Sequence, residues 1–108
     1  MSLDVTLKSD TTGDELYWAN ITHNLNTMAI EAGIYKELWR PEELGIKLAG
    51  QLIEPLSLGL KRLEEEPERY KKFNPENGWG SYEGLIAFVS RYLRACIKNP
   101  EAEVSISR

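Results

Sequence analysis

The most apolar helical pattern in the chain runs from Tyr82 to Asn99. At about 100° per residue, Tyr82, Leu85, Ile86, Phe88, Val89, Tyr92, Leu93, Ala95, Cys96 and Ile97 cover well over half of its circumference. Glu83, Ala87, Ser90, Arg91, Arg94 and Lys98 share the remaining arc. So wide an apolar arc predicts a helix surrounded by other elements, and hence the centre of the fold. Ser81 is its natural N-cap, and Asn99-Pro100 ends it.

The other patterns are less apolar. Leu3, Val5 and Leu7 alternate with Asp4, Thr6 and Lys8, which predicts a strand with one buried face. Ser9 to Gly13 is turn chemistry, and Asp14 to Trp18 reads either as extended chain or as an early helical turn. From Asn20 or Thr22 to Gly33 a helix is predicted, with Ile21, Leu25, Met28 and Ala32 in one apolar stripe and Ile30 and Ile34 in another. Between the stripes runs a polar line, Asn20, Asn24, Thr27 and Glu31, which is expected to face something other than free solvent. Ile34 to Trp39 adds a helical turn that stops before Pro41, and Pro41 to Gly45 starts again.

Lys47 to Glu66 is a long amphipathic pattern with Ala49, Leu52, Ile53, Leu56, Leu60 and Leu63 on one face and Leu58 on the polar side. The apolar phase continues across Pro55, which predicts one kinked helix. Glu64 to Glu66 would oppose the dipole at a helix end, so a break near Glu66 and a short helix from Pro67 to Phe73 are expected. Val104 and Ile106 alternate with Glu103, Ser105 and Ser107, giving a second strand. Two lone strands with one apolar face each are expected to pair and to lie on the helices. The predicted fold is mainly α: a single compact helical domain, residues 1–108, around a buried C-terminal helix, with a small two-stranded β-ribbon formed by the N- and C-terminal segments.

Length and charge narrow the setting. A chain of 108 residues is one domain, and its net charge of −4 argues against nonspecific binding to phosphate backbones. No nucleic-acid partner is expected. The single cysteine excludes an internal disulfide and fits a reducing compartment. No apolar run approaches a membrane span and no signal peptide follows Met1, so a cytoplasmic protein without a membrane partner is expected. Without secretion, the glycosylation sequon at Asn20-Ile21-Thr22 carries no weight.

His23, the sole histidine, is a candidate ligand, base or hydrogen-bonding group, with Asn20, Asn24 and Glu31 nearby on the predicted helix. One histidine and one cysteine are too few for a metal centre, and no cofactor is expected. Cys96, His23 and Asn24 are the residue types of a cysteine-nucleophile triad, but Cys96 lies within the apolar arc, where thiols are inert. Asn74-Pro75-Glu76-Asn77 suits a type I turn and Gly78 a left-handed residue; Gly80 leaves room for close backbone approach. Within that turn, Trp79 reads as a plug for the end of the core or as a stacking wall beside a ligand. Trp18, Tyr17, Tyr35 and Trp39-Arg40 flank the first predicted helix, with core as the plain alternative.

Taken together, Asn20-Ile21-Thr22-His23-Asn24, Met28-Ala29, Ala32-Gly33-Ile34-Tyr35, Leu38-Trp39-Arg40-Pro41 and Asn74-Pro75-Glu76-Asn77-Gly78-Trp79-Gly80-Ser81-Tyr82-Glu83 resemble a family of small uncharacterised proteins from bacteria and their phages. The resemblance spans nearly the whole chain. It implies a stand-alone intracellular protein and brings no catalytic residues with it. The function expected is a binding module for a small molecule or a peptide. Its site would lie between the first helix and the Asn77–Tyr82 turn, drawing on Asn20, His23, Asn24, Glu31, Trp39, Arg40, Asn77, Trp79 and Tyr82. A protein-interaction or phage accessory protein is the second reading. An enzyme using His23 as acid/base with Glu31 is the third.

Overall fold

The computed structural model describes residues 2–108. Its element order is β1 (Ser2–Lys8), β2 (Glu15–Thr22), α1 (Asn26–Glu31), α2 (Tyr35–Trp39), α3 (Ile53–Glu65), α4 (Pro67–Lys71), α5 (Tyr82–Lys98) and β3 (Glu103–Ser107). Short 3-10 turns occupy His23–Leu25, Pro41–Leu44 and Ala49–Leu52. The three strands form one antiparallel sheet in the order β2-β1-β3. The architecture is therefore mixed α/β, which corrects the expectation of a mainly helical domain with a two-stranded ribbon.

β3 does pair with β1, from Asp4 opposite Ser107 to Lys8 opposite Glu103. The third strand is the segment that reads ambiguously as sequence. A turn closed by the Ser9 N–H to the Asp14 carbonyl (2.8 Å) folds residues 15–22 back along β1, so that Thr6 faces Trp18 and Asp4 faces Asn20. Tyr17, Ala19 and Ile21 then share the covered face of the sheet with Leu3, Val5 and Leu7, and the last three are wholly buried. This pairing overrides the helix predicted from Asn20. Only Asn26–Glu31 is α-helical, with Met28 and Ala29 buried within it and Leu25 and Ala32 buried at its two ends. The β-branched Ile21 and Thr22 suit the ladder better than a helical turn.

α5 packs on the covered face of the sheet and against α3. The Ser81 Oγ accepts from the Gly84 N–H (3.0 Å), which is the N-cap expected there, and the Asn99 side chain closes the other end on the Ala95 carbonyl (3.0 Å). The helix is not surrounded on every side: Ile97 is 57% exposed. The Tyr92 hydroxyl is buried and has no hydrogen-bond partner among the described residues, and burial pushes its pKa far up. α3 begins at Ile53, so Pro55 stands in the first turn, where its missing N–H costs no intrahelical bond. The kinked helix expected from Lys47 is instead an extended stretch, a 3-10 turn and a helix.

The two outer edges of the sheet differ. Lys47 to Gly50 covers the edge of β3: the Lys47 carbonyl accepts from the Val104 N–H (2.8 Å), and the Ala49 N–H donates to the Ala102 carbonyl (2.9 Å). Among the described residues, no other backbone segment hydrogen-bonds to the outer edge of β2. Among the same residues, no helix is long and apolar enough to cross a membrane.

Candidate functional site

Thr22 ends β2, and its Oγ1 accepts from the Asn24 N–H (3.2 Å), turning the chain away from the sheet. On the outer face of the sheet, the Asn20 Nδ2 donates to Ser2 Oγ (2.8 Å) and Asp4 Oδ1 (2.7 Å), which fixes its amide. The Asn24 side chain is exposed and makes no hydrogen bond among the described residues.

The tryptophan corner comes to this place from the far end of the chain. The Asn77 Oδ1 accepts from the Trp79 N–H (2.9 Å), the Gly78 N–H closes on the Pro75 carbonyl (3.2 Å), and the Asn74 Oδ1 accepts from the Tyr82 N–H (2.7 Å). Gly80 has φ +103° and lies so close to the β2 end that a Cβ there would come within 2.7 Å of Thr22 Cγ2 and 3.0 Å of Leu25 Cγ. With the backbone pinned in this way, the Trp79 indole stands 70% exposed. It faces Ser2, Asn20, Thr22 and Asn24 across a recess of about 510 Å³. The reading of Trp79 as a plug in the core is thus corrected.

The nine candidate residues divide. Asn20, Asn24 and Trp79 meet in this recess, with Asn77 holding the backbone behind the indole. Tyr82 points inward and donates its hydroxyl to the Leu63 carbonyl. The 3-10 turn swings His23 the other way, where its Nδ1 accepts from the Trp39 Nε1–H (2.8 Å). Trp39 is buried and stacks on Tyr35 (5.6 Å between centroids), and the Tyr35 hydroxyl accepts from Arg40 Nε (3.3 Å). His23, Trp39 and Arg40 therefore form a second cluster, built around packing. Glu31 belongs to neither, facing a shallow recess with Arg62, Glu66 and Arg69. The helical line that joined Asn20, Asn24 and Glu31 in the sequence does not exist, because Asn20 lies on a strand.

The acid/base arrangement also fails to form, since the His23 ring bonds to an indole and Glu31 faces elsewhere. Cys96 is wholly buried, and burial pushes its thiol up to about 12. At pH 8 the folded protein is expected to react with iodoacetamide at least about 100-fold more slowly than the unfolded chain, because burial raises the thiol pKa and closes access to it. Alkylation at equal rates with and without denaturant would contradict the buried position. The linkage has a definite sign. The folded pKa is the higher one, so this contribution to stability is complete below about pH 9 and declines as pH rises towards 12.

Sequence reasoning misses one part of this surface. Tyr17 through Thr22, six consecutive residues, line a groove of about 560 Å³ whose other wall is Gly84, Ala87, Phe88 and Arg91 of α5. When both alternating sets of a strand line one groove, what faces it is the backbone edge. The groove continues past Tyr17 and Leu16 into a recess of about 500 Å³ beside Arg91, Arg94 and Lys98. In the other direction it meets the Trp79 recess at Asn20 and Thr22. The spacing of Arg91, Arg94 and Lys98 along one helix face is readable in the sequence, but the edge strand opposite them is not. Compared with protein-family models, curated proteins and solved structures, the chain shows no match to any of them.

Proposed function

We propose that the protein is a binding module that fixes its ligand in the recess between the end of β2 and the Trp79 corner. The observation that carries this reading is Trp79 itself. A tryptophan left largely exposed, on a turn held by three side-chain-to-backbone bonds, presents a rigid stacking surface. Asn24 offers an amide with free donors and acceptor beside it, and Asn20 retains its oxygen. A recess of about 510 Å³ falls within the range of small-ligand sites, roughly 300–1,000 Å³. An aromatic wall facing amides suits a planar polar group, such as a heterocycle or a peptide unit. The setting that the motif resemblance implies is a stand-alone protein of bacterial or phage origin.

Thermal-shift screening against small polar metabolites and short peptides tests the reading. A ligand at a hundredfold excess over its Kd is expected to stabilise the protein by about 2.7 kcal/mol. Trp79→Ala and Asn24→Ala are each expected to weaken that ligand by about 1 kcal/mol or more, while Glu31→Gln, outside the recess, leaves it unchanged. A library that leaves the wild-type melting temperature unmoved, or a shift that survives Trp79→Ala intact, removes the proposal.

A further inference from the structure

The open edge of β2 is unusual in its chemistry. Natural sheet edges are blunted by lysine, proline, bulges or a covering segment. β3 has its cover. β2 carries a bulge at Leu16, but from Tyr17 to Thr22 its register is unbroken, it has no lysine or proline, and Leu16 and Trp18 stand 46% and 54% exposed along the edge. Across the groove stand Arg91, Arg94 and Lys98, and none of them forms an ion pair among the described residues. Among the described residues, no carboxylate lines the groove, the recess beside Arg94 or the Trp79 recess, although the chain carries a net charge of −4; Asp10 and Glu101 stand only beyond Lys98, where the surface continues past Leu16.

We infer that this edge takes an extended acidic peptide as a fourth strand, added to β2 beside the cationic row of α5. Main-chain hydrogen bonds to β2 would hold the added strand, and its side chains would alternate between the two faces of the sheet. Those on the covered side meet Arg91, Arg94 and Lys98, so acids are favoured there. Those on the outer side meet Trp18, whose indole is 54% exposed, so apolar residues are favoured. The peptide is thus acidic at every second position and apolar between. A second copy of this chain fits less well. Two-fold pairing of β2 with β2 sets both α5 helices on the same face and brings one cationic row towards the other, where like charges repel. The inference rests on the binding-module reading and names the ligand class for the long arm of the same surface.

An N-acetylated eight-residue peptide alternating glutamate and valine, the length of β2, is the probe, with tryptophan fluorescence as the readout. Binding is expected, with the lysine-for-glutamate peptide about tenfold weaker or worse. N-methylation of one alternating set of peptide amides should abolish binding while the other set is tolerated, because only one edge of the added strand pairs. Arg91→Glu/Arg94→Glu should lower affinity for the glutamate peptide by at least about tenfold and raise it for the lysine peptide, with Lys61→Glu on α3 as the unaffected control. The inference is overturned if the glutamate peptide does not bind at about 1 mM, or if both N-methyl series bind like the parent. It is equally overturned if both charge types bind alike, or if a single-stranded octathymidylate is bound in preference. A dimer in sedimentation that Trp18→Lys dissociates would assign the edge to a second copy instead. Failure here with intact Trp79-dependent binding of a small ligand leaves the recess proposal standing, and the converse result does the opposite.

Discussion

Gly80→Val is expected to lower the melting temperature by on the order of 10–20 °C and to release the tryptophan corner from the sheet. Two costs combine. At φ +103° a β-branched residue is held in a backbone region it avoids, at about 1–2 kcal/mol. Its Cβ would also stand 2.7 Å from Thr22 Cγ2, and overpacking of that kind costs roughly 1–3 kcal/mol. Gly78→Ala isolates the first cost, since Gly78 has φ +77° and nothing within 4 Å of the added carbon. A thermal melt of the two variants side by side is decisive. Equal losses would mean that Gly80 is not seated against Thr22 and Leu25, and the recess that depends on that contact would lose its frame.

A double-mutant cycle between Gly59 and Ile34 should show the largest coupling in the core. Gly59 is buried on α3, and a Cβ there would overlap Ile34 Cγ2 and lie 3.3 Å from its Cδ1. Gly59→Val alone is expected to cost about 3 kcal/mol by overpacking. Ile34→Ala alone empties a wholly buried site, at about 2–5 kcal/mol. Together the two changes exchange similar volumes across one contact, so the double variant should be about 2 kcal/mol or more better than the sum. Urea denaturation of all four proteins measures this. Additive losses would place α3 too far from Ile34 for the close approach described.

Much of the candidate site was legible before the fold was known, for reasons that are local. The Asn74–Tyr82 segment has turn residues whose side chains bond their own backbone, so its shape depends little on the rest of the chain. The cap at Ser81 and the end at Asn99 follow from the same short-range chemistry. Asn20 and Asn24 were picked out for a helical line that does not form, and they reach the recess by a strand and a turn instead. Leu16, Trp18 and Ala19 hid the strand, because apolar residues on both alternating sets erase the period-two signal. That mixture is itself what an open apolar edge looks like in sequence.

The amino-acid order by itself determined the elements whose stability is settled within a few residues: the α5 helix with its cap, the Pro67 restart, the tryptophan turn and the one-sided β1 and β3. Tertiary structure decided what residues 15–33 became and which surface stayed open. The isolated preference of that stretch is weak in either direction. Pairing with β1 buries Tyr17, Ala19 and Ile21 over α5 and satisfies one side of its backbone, leaving the other side as an unpaired edge next to three cations. No local rule contains that edge, because it exists only where a strand, a helix and a distant turn meet.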